Sequence, residues 1–179
     1  MRLRTICFPI RTLGPGERIG IWLSGCSRGC PGCMSPELAV SLPQDEQPLE
    51  VICASIIQAI EAGATGVTIS GGEPFDQEEE LLALLEWLAS RDMHDIVCYT
   101  GYQLNELEAR PIAKRCLEHV AVLIDGPYIA ELNDGRGARG SSNQVVHRFD
   151  TEYDYDFESI ERASQIFVGP GGAFVVGVR

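Results

Sequence analysis

The sequence predicts an α/β fold of parallel strands joined by helical crossovers, and three observations carry that prediction. Short β-branched runs alternate with stretches of helical periodicity between Arg18 and Ile124, a pattern that sets strands side by side with right-handed connections. Each strand-like run ends in glycine or small polar residues, at Gly25-Cys26, Ser70-Gly71-Gly72-Glu73, Thr100-Gly101-Tyr102 and Asp125-Gly126. With 179 residues, 45% of them hydrophobic and 22% charged, the chain is large enough to bury one core and has a globular composition. Such alternation suits an open sheet or part of a barrel, and both gather ligands at the carboxyl ends of their strands.

Each element has its own signal. Arg18 to Ser24 is an apolar, partly β-branched run between Gly16 and Gly25, read as a buried strand feeding a loop. Leu49, Ile52, Cys53, Ile56, Ile57 and Ile60 recur at helical spacing, with Pro48 at the first turn and Gly63 placed to end the helix. Gly66 to Ser70 is a second strand, closed by a turn at Gly71-Gly72. Asp76 offers an N-cap and Glu79 completes a capping box for a second helix that runs to Arg91. Asp95 to Thr100 is a third strand, Gln103 to Glu118 a helical stretch interrupted at Pro111, and Val120 to Ile124 a fourth strand.

Beyond Phe149 the pattern changes. Acidic residues at 150, 152, 154, 156 and 158 alternate with Thr151, Tyr153, Tyr155 and Phe157, which predicts an edge strand or extended arm. Gln165 to Val168 and Ala173 to Val178 flank Gly169-Pro170-Gly171-Gly172 and predict a hairpin. Residues 1–149 are therefore expected to form the main domain, and residues 150–179 an acidic arm and β-hairpin packed on it.

Charge and hydropathy exclude some functions. Fourteen basic against 26 acidic side chains leave a net charge of −12, the wrong sign for binding nucleic acid through its phosphates. No apolar run approaches the about 20 residues that span a bilayer, and Arg2 and Arg4 precede no apolar segment of a secretory signal. The expectation is a cytoplasmic protein with no membrane or nucleic-acid partner.

The chemistry concentrates in Cys26-Ser27-Arg28-Gly29-Cys30-Pro31-Gly32-Cys33. Seven cysteines are an odd set, and these three share one loop, which points to metal binding rather than disulfides. A structural zinc would want a fourth ligand; a 4Fe-4S cluster held by three cysteines leaves one iron open to react. Cys7, Cys53, Cys98 and Cys116 lie on predicted elements or their flanks and read as small buried hydrophobes. Gly71-Gly72 is either a tight turn or a place of close backbone approach, and Thr100 and Asp125 are either ligand contacts or turn formers. His94, His119 and His147 have no metal-ligand spacing.

The cysteine spacing resembles that of the radical S-adenosylmethionine superfamily. Gly14-Pro15-Gly16-Glu17-Arg18, Ser70-Gly71-Gly72-Glu73-Pro74, Tyr99-Thr100-Gly101-Tyr102, Asp125-Gly126 and Arg139-Gly140-Ser141-Ser142-Asn143-Gln144-Val145-Val146-His147 narrow the resemblance to the anaerobic ribonucleoside-triphosphate reductase activating protein family. It implies a partial, open parallel (β/α) barrel of five to six strands, and one 4Fe-4S cluster on Cys26, Cys30 and Cys33. It also implies an S-adenosylmethionine site that takes in Gly71, Gly72, Glu73, Ser70, Thr100 and Met34. Glu73 is expected to accept from the methionine ammonium, while Met34 stands where many relatives carry an aromatic residue. The implied reaction is reductive cleavage to a 5′-deoxyadenosyl radical that abstracts a glycine hydrogen from a glycyl-radical enzyme such as anaerobic ribonucleotide reductase. The electron would come from a donor such as flavodoxin or ferredoxin. A stand-alone radical enzyme acting on a small molecule or peptide is the alternative. No separate catalytic side chain is implied, and neither Arg18 nor the loop from Arg139 to Gln144 is given a role. A chain this short is expected to leave one side of its site for a partner to close.

Overall fold

The computed structural model describes residues 1–150, 155–169 and 172–178. Its main sheet has six strands in sequence order: β1 (Leu3–Ile10), β2 (Arg18–Leu23), β3 (Gly66–Gly71), β4 (Ile96–Tyr99), β5 (Val122–Asp125) and β6 (Val145–Arg148). The helices between the inner strands are α1 (Leu49–Glu61), α2 (Glu78–Ala89), α3 (Leu104–Glu108) and α4 (Pro111–Leu117). Strands β2 to β5 pair in parallel, as the alternation predicts, while β1 and β6 pair antiparallel on the two edges. The sheet is thus mixed and open among the described residues, and closure into a barrel is not seen.

Because the strands alternate their side chains, the sheet has two distinct faces. Ile19, Ile21, Leu23, Val67, Ile69, Ile96, Cys98 and Leu123 point to the helices and form the main core with Ile52, Ile56, Leu81, Leu84, Leu85 and Leu88. This is the stripe that the spacing in α1 and α2 encodes. Arg18, Trp22, Thr68, Ser70, Val97, Tyr99, Val122 and Ile124 point the other way, to apolar clusters in which none of α1 to α4 takes part among the described residues. Two short stretches of the chain's last third cover that face. Phe157, fully buried, packs on Val97, Val122 and Ile124. A separate two-stranded ribbon, β7 (Gln165–Gly169) and β8 (Gly172–Val176), packs Val176 and the following Val178 on Ile10, Leu13, Trp22 and Leu38.

The predicted hairpin is therefore present, and of the edge strand or extended arm expected over residues 150–158 only Asp150 and the part from Tyr155 are described. Residues 151–154 lie outside the described residues, and from Tyr155 the chain enters a turn. The Asp156 carboxylate accepts from the Glu158 and Ser159 amides and the Ser159 hydroxyl, which bends the backbone and delivers Phe157 inward. From Tyr155 to Glu158 the alternation sets one buried anchor, Phe157, in a turn. None of the described helices is long and apolar enough to cross a membrane.

At the amino ends of the parallel strands, Arg18 is wholly buried. Its guanidinium donates to the Asp95 carboxylate at 2.7 and 2.9 Å, to the Val67 and Asp95 carbonyls, and through Nε to Thr68 Oγ1 at 2.8 Å. Thr68 passes the chain of bonds on to the Leu13 carbonyl. One side chain so ties β2, β3 and the start of β4 together, and the planar fork of arginine suits it to that task.

Candidate functional site

The opposite ends of the same strands open on a cavity of about 490 Å³. Cys26, Cys30 and Cys33 edge it, and Ser70, Gly71, Gly72, Glu73, Thr100 and Met34 line it too. The structure thus brings the three cysteines and all six residues of the implied S-adenosylmethionine site to one place. Among the described residues no three His, Cys, Asp or Glu side chains converge on a single metal ion. The three thiols instead border a space several atoms across, and the set is all sulfur, the donor type that suits an iron–sulfur group. Cys98 and Cys116, by contrast, are fully buried; burial raises both thiols, Cys116 to about 12. Like Cys53, they serve as packing.

The cysteine loop is tied to the rest of the fold at its first half, while at its second the Cys33 amide donates to the Cys30 carbonyl within the loop. The Gly25 amide donates to the Leu38 carbonyl and the Cys26 amide to that of Ala39. Asp76 accepts from the Ser27 amide at 2.6 Å, the Ser27 hydroxyl at 2.8 Å and the Tyr102 hydroxyl at 2.9 Å. The expected N-cap role of Asp76 is not the observed one. A short 3-10 turn, Pro74–Gln77, precedes α2, and the Glu73 side chain caps that turn through the Phe75 amide. Asp76 is left free to clamp the loop. Arg28 stacks over the Tyr102 ring at 4.3 Å on the cavity side. Burial raises the Cys26 thiol above its ordinary value, opposed by the backbone amides of Arg28 and Gly29. Cys33 is exposed.

The glycine pair has a backbone reason. Gly71 has φ +123°, and a Cβ there would stand 2.2 Å from the Leu23 carbonyl oxygen; a Cβ on Gly72 would stand 2.1 Å from the Gly25 oxygen. The Gly72 amide donates to Leu23 and the Glu73 amide to Gly25, both at 2.8 Å. What approaches these glycines closely is the start of the cysteine loop itself.

Glu73 is 1% exposed, and burial raises its carboxyl to about 7. Its oxygens accept from the Phe75 amide, the Thr100 hydroxyl and the Gly101 amide at 3.0, 2.8 and 2.7 Å. Thr100 Oγ1 also accepts from the Tyr102 amide. Both side chains brace the tips of β3 and β4 around the cavity. Asp125 turns away from it, accepting from the Leu104 amide at 2.6 Å with His147 Nε2 at 3.1 Å. In the loop from Arg139 to Gln144, the Gln144 amide accepts from Gly140 and Ser141 and donates to the Gly126 carbonyl, which places Gln144 on the cavity wall.

A family model described as a 4Fe-4S single cluster domain matches residues 12–147. The anaerobic ribonucleoside-triphosphate reductase-activating protein of Salmonella typhimurium is 34% identical over 141 residues, 75% of this chain and 90% of that protein. Its counterpart in Vibrio cholerae is 34% identical over 151 residues, 79% of this chain and 95% of the relative. The chain belongs to the anaerobic ribonucleoside-triphosphate reductase-activating protein family. The Escherichia coli K12 member is 33% identical over 140 residues.

The residues matched by the family model include the loop and the strand ends, whereas part of the far side of the cavity lies beyond them. Trp22, Leu13 and the run from Ala173 to Val178 form that side. The side expected to stay open for a partner is thus walled in part by the chain's own hairpin. The alternation in β2 signals that Trp22 faces away from the helices; nothing local signals that a hairpin some 150 positions later returns to meet it.

Proposed function

We propose that this protein is a radical S-adenosylmethionine activating enzyme that takes a glycine hydrogen from a glycyl-radical enzyme, namely anaerobic ribonucleotide reductase. The observation that carries the reading is the meeting of the Cys26, Cys30 and Cys33 thiols with the tips of β3 and β4 in one cavity, in a chain of this family. Cys26, Cys30 and Cys33 would hold a 4Fe-4S cluster and leave one iron for the amino and carboxylate groups of S-adenosylmethionine. Bound together, the two cofactors supply reductive cleavage to methionine and a 5′-deoxyadenosyl radical, which takes the hydrogen atom.

The protein's part is to hold and shape. Asp76 keeps Ser27 and therefore Cys26 in place. Ser70, Gly71 and Gly72 present the end of β3 to the methionine portion, and Glu73 stiffens that end through Thr100 and Gly101. Exposure of Cys33 at the outer edge of the loop supports delivery of the electron from an external carrier such as flavodoxin or ferredoxin.

Anaerobic reconstitution should give about four irons per chain, and Cys30→Ala should abolish that content while Cys53→Ala leaves it intact. Reduced protein with S-adenosylmethionine and the source organism's anaerobic ribonucleotide reductase should yield a glycyl radical doublet by electron paramagnetic resonance. Binding of zinc alone would overturn the reading, and so would rapid turnover on a small molecule or peptide with no radical formed on the reductase.

A further inference from the structure

The cavity has two unlike sides. Thiols, Ser70, Glu73 and Thr100 make one of them polar, and Trp22, Leu13, Met34, Phe174, Val176 and Val178 make the other apolar. Half of that apolar set comes from the hairpin and Val178 just past it, all outside the residues 12–147 matched by the family model.

The hairpin is seated there by design of its contacts. The Phe174 ring meets Trp22 edge to face at 5.2 Å. Gln165 Nε2 donates to the Pro9 carbonyl at 3.2 Å, and its Oε1 accepts from the Arg11 amide. Thr12 Oγ1 donates to the Val176 carbonyl at 3.4 Å. The ribbon also sorts its side chains, since Val176 is 1% exposed whereas Ile166 and Val168 on its outer side are 69% and 83% exposed.

S-adenosylmethionine divides in the same way. Its amino acid end is charged and belongs with the open iron and the strand tips; its adenine is flat and largely apolar and needs an aromatic or sulfur-bearing surface. Resting on the function proposed above, we infer that Phe174, packed against the same apolar cluster as Met34, is the wall against which the nucleoside half of S-adenosylmethionine packs. The C-terminal hairpin is thereby a cofactor-binding element and not a passive appendage. No covalent step is involved, because Phe174 acts only through contact.

The test uses the full-length reconstituted protein and three probes: S-adenosylmethionine, 5′-methylthioadenosine and methionine. Phe174→Ala should retain its iron and bind S-adenosylmethionine and 5′-methylthioadenosine about tenfold more weakly, the loss expected of one ring contact, while methionine binding is unchanged. Phe174→Leu, which keeps the core filled, should recover part of the loss, and Val168→Ala on the outer side should change nothing. Equal affinity of Phe174→Ala and the parent for 5′-methylthioadenosine would overturn the inference. So would parallel weakening of methionine, which would mean that the whole cavity had collapsed. A parent protein that takes up no iron–sulfur cluster fails the proposed function instead, and is read from iron content before any ligand is added.

Discussion

The two ends of the parallel strands are built for opposite purposes. At the amino ends, Arg18 is sealed from solvent and saturated by Asp95, Thr68 and backbone carbonyls, away from the cavity that the cysteines edge. At the carboxyl ends the backbone is glycine-rich, Glu73 is buried with no salt-bridge partner among the described residues, and the second half of the cysteine loop bonds within itself, from the Cys33 amide to the Cys30 carbonyl. Parallel α/β architectures keep stability and ligand chemistry apart in this manner, and here single residues carry the division.

Three experiments can break that division or sharpen it. Arg18→Ala removes a buried cation with all its donors and should cost about 3–5 kcal/mol, read from the denaturant midpoint. Below its melting temperature the variant should still bind iron to the parent's level; loss of iron from the folded variant would show that the ends are not separable.

Glu73 comes next in size. Its carboxyl is raised from 4.5 to about 7, so the folded apo protein binds this proton more tightly than the unfolded chain does. The stabilisation is complete below about pH 4.5 and is lost as the pH rises through about 7, about 3 kcal/mol in all. Glu73→Gln should flatten that part of the stability–pH curve. An unchanged slope would place the titration elsewhere and remove the contrast with the Arg18 end.

The smallest effect is expected at Asp76. Asp76→Ala deletes three hydrogen bonds around an exposed loop and should lower global stability by only about 1–2 kcal/mol. Iron should nevertheless leave the reconstituted variant several-fold faster under chelator challenge. Equal release rates would mean that the Cys26 end of the loop needs no clamp.

What was legible in the sequence follows the same physics. The helix-facing core was readable because Ile52 and Ile56, or Leu81, Leu84 and Leu88, repeat at the period of the helix that buries them. The cysteine triplet was readable because its spacing is itself the chemistry. Asp76 misled because a local capping signal was outcompeted by Ser27 and Tyr102, contacts 49 and 26 positions away. The edge strands β1 and β6 gave no clear signal: β1 is only half-buried along most of its length, and β6 is four residues inside a polar segment. The burial of Phe157 on β4 and β5 is likewise not announced by any nearby residue.

The hairpin's anchors also set an order of events. Its bonds to Pro9, Arg11 and Thr12 span 154 to 164 positions, whereas each parallel strand pairs with the next after a single crossover. Closing so long a loop carries the greater entropic cost, and chains emerge and fold from the amino end during synthesis. The sheet and the cysteine loop are therefore assembled before the ribbon exists to dock. For that interval the nascent cavity is open on its apolar side, and maturation of the metal centre can precede the closing of the wall.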